Sequence, residues 1–317
     1  MKIYWADREG NPAPLDCTFH FRPFSTPLQS FAMQRVELPP PAKAKVIKRT
    51  FLPTREEWIQ NVEKALDLIH RKLLQKVVLA RACILELETA PDPFAVTAAL
   101  KEKSQGAFVY CLQSDTESFL GATPERLFMR HGQNIVSEAI AGTRRRGKTV
   151  WEDEKLQKQL LCSSKDLREF SHIPAYLQDT LSPLCTAPLN FSPISIHQTK
   201  NVQHLYSRSY GKLKEHITDN EILEHLHPTP ALCGLPKQKA LSTIHELEPF
   251  NRGLYGGAIG WTTEHNSEWI VGIRSCLLKE KVATLFSGTG IVEGSNPEHE
   301  WDELNQKLRL YDGILDH

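Results

Sequence analysis

The chain has 317 residues, 38 basic and 38 acidic side chains, and 40% hydrophobic content. That length can bury a sizeable core, and the balanced charge excludes an overall field that would draw it to nucleic acid or an anionic membrane. Seven cysteines, odd in number, with no Cys-x-x-Cys pair and never closer than 23 residues, exclude a zinc ribbon or a disulfide framework and predict reduced thiols.

Residues 1–53 read as a poorly specified segment, with Pro39-Pro40-Pro41 and Ala42 to Lys45 suggesting a linker or an extended edge. Met1 to Gly10 contains no apolar run of the kind a secretion signal needs, and no stretch of about 18 apolar residues occurs anywhere. These features predict a soluble, cytoplasmic protein. A helix is expected from Thr54, whose pairing with Glu57 forms a capping box ahead of the apolar stripe Trp58, Val62, Ala65, Leu66 and Ile69. Val77 to Leu87 reads as a strand and Phe94 to Leu100 as a helix. Strands are expected at Phe108 to Gln113, Ser118 to Gly121, Leu127 to Arg130 and Ile135 to Ile140. The triplet Arg144-Arg145-Arg146 reads as a solvated, Gly-bounded loop. Glu152 to Leu161 is helical in pattern. A second helix follows, capped by Ser163, burying Leu167, Phe170, Ile173 and Leu177 and kinked at Pro174. Tyr255 to Thr262, Trp269 to Leu278 and Val282 to Val292 read as three consecutive strands, the last two joined at Lys279-Glu280-Lys281. Strands in runs with helices between them predict a mixed α+β fold of largely antiparallel sheets.

The richest stretch is Gly288-Thr289-Gly290-Ile291-Val292-Glu293-Gly294-Ser295-Asn296-Pro297-Glu298-His299-Glu300-Trp301-Asp302-Glu303, a glycine-flanked strand end leading into a helix. Asn296 or Ser295 can cap that helix, and Pro297 suits its first position. Glu300, Glu303 and Lys307 fall at i, i+3 and i+7 and project from one face. Two carboxylates and an ammonium beside a glycine turn suit a hard cation plus a small carboxylated ligand. The same spacing equally suits a solvated face whose Glu303–Lys307 pair is worth about 0.3–0.5 kcal/mol.

Further segments stand in a fixed order before it. They are Lys76-Val77-Val78-Leu79-Ala80-Arg81, Gly121-Ala122-Thr123-Pro124-Glu125-Arg126-Leu127, Ala141-Gly142-Thr143 and Lys165-Asp166-Leu167-Arg168-Glu169, with Leu226-His227-Pro228-Thr229-Pro230-Ala231-Leu232 and Glu248-Pro249-Phe250 following. This series resembles the chorismate-utilising enzymes, which comprise isochorismate, salicylate, anthranilate and aminodeoxychorismate synthases. The resemblance covers roughly residues 54 to 315, a whole chorismate-binding catalytic domain spanning 54–317. It implies a single large α/β/β/α sandwich of two mainly antiparallel sheets with outer helices. The segment 1–53 is shorter than the family usually carries, so one sheet is expected to be smaller or less covered at its edge.

What the resemblance implies for chemistry turns on two positions. Lys76 stands where isochorismate and salicylate synthases carry a general-base lysine, and Ala141 stands where aminodeoxychorismate synthases carry a nucleophilic one. The combination implies an isochorismate synthase, which adds water at C2 of chorismate as the C4 hydroxyl leaves. A lysine titrates near ~10.4 in water and is a base at neutral pH only if desolvation or a nearby cation lowers that value. Glu125 would be the acid, which needs the opposite shift. Glu169 and Glu303 match the family's Mg²⁺ ligands, with Glu300 as a nearby, water-mediated helper. Pro174 and the absence of an apolar run after Glu169 depart from the family's pattern there. Gly142, Thr143, Tyr255, Arg274, Gly288, Thr289, Gly290 and Lys307 are implied to bind the substrate, Arg274 through its planar fork. His227 and Glu248 are expected only to support these groups. Taken singly, Lys76 also suits a strand-edge lysine, Glu125-Arg126 a surface ion pair, Tyr255 a core residue, and Gly288 and Gly290 a bulge. The alternative activities are salicylate synthase, a glutaminase-partnered amine-transferring subunit, or a non-catalytic chorismate-binding protein. The leading expectation is a monomer without a glutaminase partner, serving menaquinone or siderophore synthesis.

Overall fold

The computed structural model describes residues 1–31, 33–198 and 202–316, without the side chains at 31, 165 and 169. Its first strands are β1 (Lys2–Ala6), β2 (Thr18–Arg22), β3 (Gln29–Phe31), β4 (Gln34–Arg35) and β5 (Ala44–Leu52). Then follow α1 (Arg55–His70), β6 (Lys76–Leu87), α2 (Pro93–Lys103), β7 (Phe108–Gln113), β8 (Ser118–Thr123), β9 (Arg126–His131) and β10 (Asn134–Arg145). The middle holds α3 (Val150–Leu161), α4 (Ser164–Leu181), β11 (Asn190–Phe191), β12 (Ser195–Gln198), β13 (Val202–Lys212), α5 (Asp219–Leu226), β14 (Gly234–Leu235) and α6 (Lys237–Leu247). The chain ends with β15 (Ala258–Thr262), β16 (Asn266–Val271), β17 (Ser275–Lys279), β18 (Val282–Ile291), α7 (Pro297–Leu308) and β19 (Leu315–Asp316).

Among the described residues these strands form two sheets. One has ten strands in the order β19-β5-β6-β18-β17-β8-β7-β1-β4, with β14 on β6. The other has nine, in the order β11-β13-β10-β9-β16-β15-β2-β3, with β12 on β13. All pairs between described strands are antiparallel except β1–β4 and β5–β19. Alternation along each strand sorts the side chains into layers. Phe51, Cys83, Leu285, Cys276, Leu120 and Cys111 are register partners in one row across β5, β6, β18, β17, β8 and β7. Most of that row packs under α2 with Phe94, Val96 and Leu100. Neighbouring positions such as Ala80, Ala82, Phe286, Tyr110 and Phe119 face the other way and meet Phe21, Ile259 and Ile270 of the second sheet. Helices α1, α4, α5 and α6 contribute to a third apolar cluster. The architecture is the α/β/β/α sandwich expected from the sequence.

Local signals explain the helix starts. Thr54 and Glu57 form the capping box of α1, and Ser163 caps α4. At α7 the structure chooses between the two candidate caps. Asn296 accepts from the backbone of Glu298 and His299, worth about 1 kcal/mol to the helix. Ser295 instead takes the Val292 N–H.

Residues 1–53 supply β1 and β4 to one sheet edge, β5 to its interior, and β2 and β3 to the second sheet. Two expectations are corrected. Trp269 to Leu278 is not one strand: β16 belongs to the second sheet and β17 to the first, and the chain crosses between them at Gly272-Ile273-Arg274. Both pieces are apolar, so periodicity alone could not show the crossing. Second, Arg144 and Arg145 end β10, Arg146 follows it, and all three pair with helix carboxylates: Arg144 with Asp166, Arg145 with Glu152 and Arg146 with Asp153.

Candidate active site

Gly288 and Gly290 lie in β18 opposite Ala80 and Val78 of β6, in unbroken register, which removes the bulge reading. Their absent side chains make room. A Cβ on Gly290 would stand 2.7 Å from Lys76 Cε and 3.3 Å from its Nζ, and one on Gly288 would stand 2.5 Å from the Tyr255 hydroxyl. Lys76 therefore lies across Gly290, and Tyr255 reaches over Gly288. Tyr255 is in the turn before β15 rather than in a strand, stacked on Phe286 at 5.2 Å, and burial pushes its hydroxyl well above its ordinary pKa. Thr289, between the glycines, points to the opposite face of β18 and donates to Glu300 at 2.6 Å. Lys307 donates to the Gly288 carbonyl at 2.7 Å and pairs with Glu303 at 2.7 Å.

Glu125 lies between β8 and β9. Its N–H donates to Thr123 Oγ1 at 3.2 Å, and its carbonyl accepts from the Val271 N–H at 3.1 Å. Burial raises its carboxyl to about 7, against the lowering pull of Lys76; Glu138 adds to the rise, and Arg8 and Lys307 oppose it. It makes no ion pair with its neighbour, because Arg126 is committed to Glu138 at 2.6 Å and Glu268 at 2.8 Å. Lys76 and Glu125 are thus close enough to sense each other's charge.

Arg274 sits at the crossing between sheets with φ of 52°, a left-handed conformation rare for a side chain of this size. Its carbonyl accepts from Tyr311 at 3.1 Å and from the Ala122 N–H at 3.3 Å, which holds the strained turn. Burial lowers the pKa of its guanidinium, while Tyr255 and Glu303 raise it.

Gly142, with φ of 65°, lies in the irregular stretch where the β10–β13 register shifts between Ala141 and Arg144. A Cβ there would press on Leu160 and Asp166 at 3.1–3.3 Å. Its carbonyl accepts from His204 Nδ1 at 3.0 Å, and the same nitrogen lies 3.1 Å from the Thr143 hydroxyl. Burial drops His204 to about 4, leaving a neutral ring. Arg274, His204, Pro124, Ala122, Arg145 and Gln306 line one cavity of about 480 Å³. A more open groove of about 570 Å³, between α1 and α6, is lined by Glu63, Lys64 and Lys239 and contains none of the expected site residues.

The expected metal ligands are less gathered. Among the described residues no group of three acidic, His or Cys side chains is arranged around a common point. Glu169 is on α4 with its side chain outside the described atoms. Glu300 and Glu303, a turn apart on α7, are oxygen donors of the kind a hard cation takes, and Mg²⁺ needs only one or two such carboxylates beside waters and a ligand oxygen. The donor chemistry fits. Glu248 and His227 are structural: Glu248 accepts from the Ala80 N–H at 2.7 Å and pairs with Arg252, and His227 is buried against Phe24. Of the segment Lys200-Asn201-Val202-Gln203-His204-Leu205, residues 200 and 201 lie outside the described residues.

Reading residues by type missed Arg8, Glu138 and His204. Arg8 and Glu138 carry no local signal, being 130 residues apart in sequence. His204 is buried in β13, but that strand mixes polar and apolar residues, so its residue type alone did not single it out.

Of the expected site residues, Arg274 alone lines the cavity of about 480 Å³ among the described residues; Lys76 and Glu125 are coupled by charge, and Glu125 directly follows the lining residue Pro124. The chain belongs to the family described as chorismate binding enzyme, whose model matches residues 23–315. It is 39% identical over 276 residues to isochorismate synthase 2, chloroplastic, of Arabidopsis thaliana, covering 86% of this chain and 49% of that one. Among solved structures, a putative 2,3-dihydroxybenzoate-specific isochorismate synthase, DhbC, from Bacillus anthracis superposes with a TM-score of 0.82 at 27% identity, covering 98% and 92% of the two chains. The menaquinone-specific isochorismate synthase MenF of Escherichia coli shares the fold, with a TM-score of 0.89 at 24% identity over 99% and 88%. The chain spans about half the length of the curated relatives it matches.

Proposed function

We propose that the protein is an isochorismate synthase, converting chorismate reversibly to isochorismate. The observation that carries the reading is the pairing of Lys76, laid across Gly290, with Glu125 held protonated up to about 7. In the forward direction the Lys76 amine takes a proton from water as that water bonds to C2. Both ring double bonds shift, from C1=C2 to C1=C6 and from C5=C6 to C4=C5, the C4–O bond breaks, and Glu125 gives its proton to the departing hydroxyl. One water enters and one leaves, so the net change is an isomerisation. Arg274, Tyr255 and Lys307, with Gly142 and Thr143 and the Gly288-Thr289-Gly290 backbone, would bind the substrate and hold its enolpyruvyl carboxylate. Glu303 and Glu169, with Glu300 beside them, would hold Mg²⁺, which supplies orientation and charge neutralisation for the ring carboxylate. Ala141 supports water addition over covalent amine chemistry, because it offers no nucleophile.

Incubating the purified protein with chorismate and Mg²⁺ and separating the products by chromatography tests the proposal. Isochorismate as the accumulating product is the expected result. Pyruvate released as fast as chorismate disappears would replace it with salicylate formation. Tight chorismate binding without turnover would reduce the protein to a binding role. Among the described residues no helix is long and apolar enough to cross a membrane.

A further inference from the structure

The chain buries an extended charge network next to Glu125 that the proposed reaction does not itself use. Arg8, on the turn after β1, donates to both carboxylate oxygens of Glu138, at 3.1 and 2.6 Å. The same guanidinium donates to the Pro124 carbonyl. The Arg8 side chain is 8% exposed and that of Glu138 is fully buried. Asp7 braces the turn by accepting from the Glu9 and Asn11 N–H groups at 3.0 and 2.7 Å. From the other side Arg126 binds Glu138 and Glu268, and both guanidiniums lie over the Phe108 ring, at 4.9 and 5.2 Å. Desolvating so many charges is costly, and removing one partner of such a network leaves an uncompensated buried charge.

The Pro124 carbonyl belongs to the peptide that joins Pro124 to Glu125. With that oxygen held by Arg8, the Glu125 N–H on Thr123 and the Glu125 carbonyl on Val271, the backbone at the acid is fixed at three points. The charges facing the carboxyl come from four elements: Lys76 of β6, Glu138 of β10, Lys307 of α7 and Arg8 of the first turn. Tyr255, buried and neutral, is the remaining titratable neighbour.

We infer that Arg8 is a positioning residue for Glu125, fixing the Pro124–Glu125 peptide and neutralising the nearby Glu138 so that the proton donor is held in one orientation. The inference rests on the proposed acid role of Glu125. It makes the first strand and its turn part of the site's machinery, not only of the sheet edge.

The test follows the Glu125 carboxyl directly by ¹³C NMR titration, assigned with Glu125→Gln, alongside the pH dependence of kcat for chorismate. The acid must be protonated to act, so activity falls as pH rises through its titration. Arg8→Met removes a cation and should move both the titration and the alkaline limb of kcat to higher pH, by on the order of one unit. Glu138→Gln removes an anion and should move both to lower pH, and the double variant should return them close to the parent. A merely structural pair would lower Tm without these opposite shifts. Arg8→Met, folded by circular dichroism yet unshifted in both readouts, would overturn the inference. Should Arg8→Met not fold, Glu138→Gln and the double variant decide it by the same criterion. If the parent does not turn chorismate over, the functional proposal falls, while the NMR titration still supports or overturns the Arg8–Glu138 pair.

Discussion

The two walls of the candidate site are built differently. Lys76, Gly288, Gly290 and Lys307 come from two paired strands and the helix that follows the second, and each is fixed by short-range features: register, missing Cβ atoms and a helix cap. Glu125 is fixed from afar, by Arg8 through Pro124 and by Val271, and its charge is set by Lys76, Glu138, Arg8 and Lys307. The first wall is a matter of shape and the second of electrostatics. A strand motif can encode where a group sits, whereas a proton's affinity depends on everything packed around it.

That contrast can be broken at its strongest point. Lys76→Gln should lower kcat by roughly 10²–10⁴-fold while chorismate still binds, measured by product formation and calorimetry. Near-full turnover in that variant would remove the shape wall's chemistry altogether. A smaller effect is expected from Gly290→Ala. Its methyl meets the far end of a flexible side chain at 2.7 Å, so Lys76 can yield without disturbing the sheet. The fold should persist, with Tm nearly unchanged, while displacement of the amine costs on the order of 10² in kcat.

The electrostatic wall responds through stability. Glu125 titrates at about 7 in the folded protein against 4.5 for an ordinary glutamate. Between those values the unfolded chain has released its proton and the folded one has not, so rising pH favours unfolding. Glu125→Gln removes this cost. The variant should match the parent near pH 4 and exceed it at pH 8 by on the order of 2–3 kcal/mol in denaturant unfolding, while losing activity. Least of all, Arg55→Ala, which breaks the exposed pair with Glu298 where α1 meets α7, should leave the denaturant midpoint nearly unchanged and kcat alone. A large loss of activity there would show that the α7 end of the shape wall depends on surface charge.

Periodic, locally specified features were legible in advance. The capped start of α1, the largely buried stripe of α4 and the start of α7 near Ser295 or Asn296 follow from adjacent residues, and the structure shows all three, with Asn296 as the cap. The switch of sheets at Arg274 was not legible, since β16 and β17 are both apolar and only pairing partners distinguish them. Nor was the role of β1 and β2, five residues each, whose partners β7 and β15 lie far along the chain.

By itself the sequence determined the ordered segments that bring Lys76, Glu125, Arg274 and the α7 carboxylates into one family pattern, and the fold class that goes with them. Tertiary structure alone decided that Gly288 and Gly290 clear space for Tyr255 and Lys76, and that Arg8 reaches Pro124. It also decided that Glu125 keeps its proton to near neutrality. The physical reason is range: caps and strand alternation act over a few residues, whereas desolvation and charge coupling depend on whatever the completed fold packs alongside.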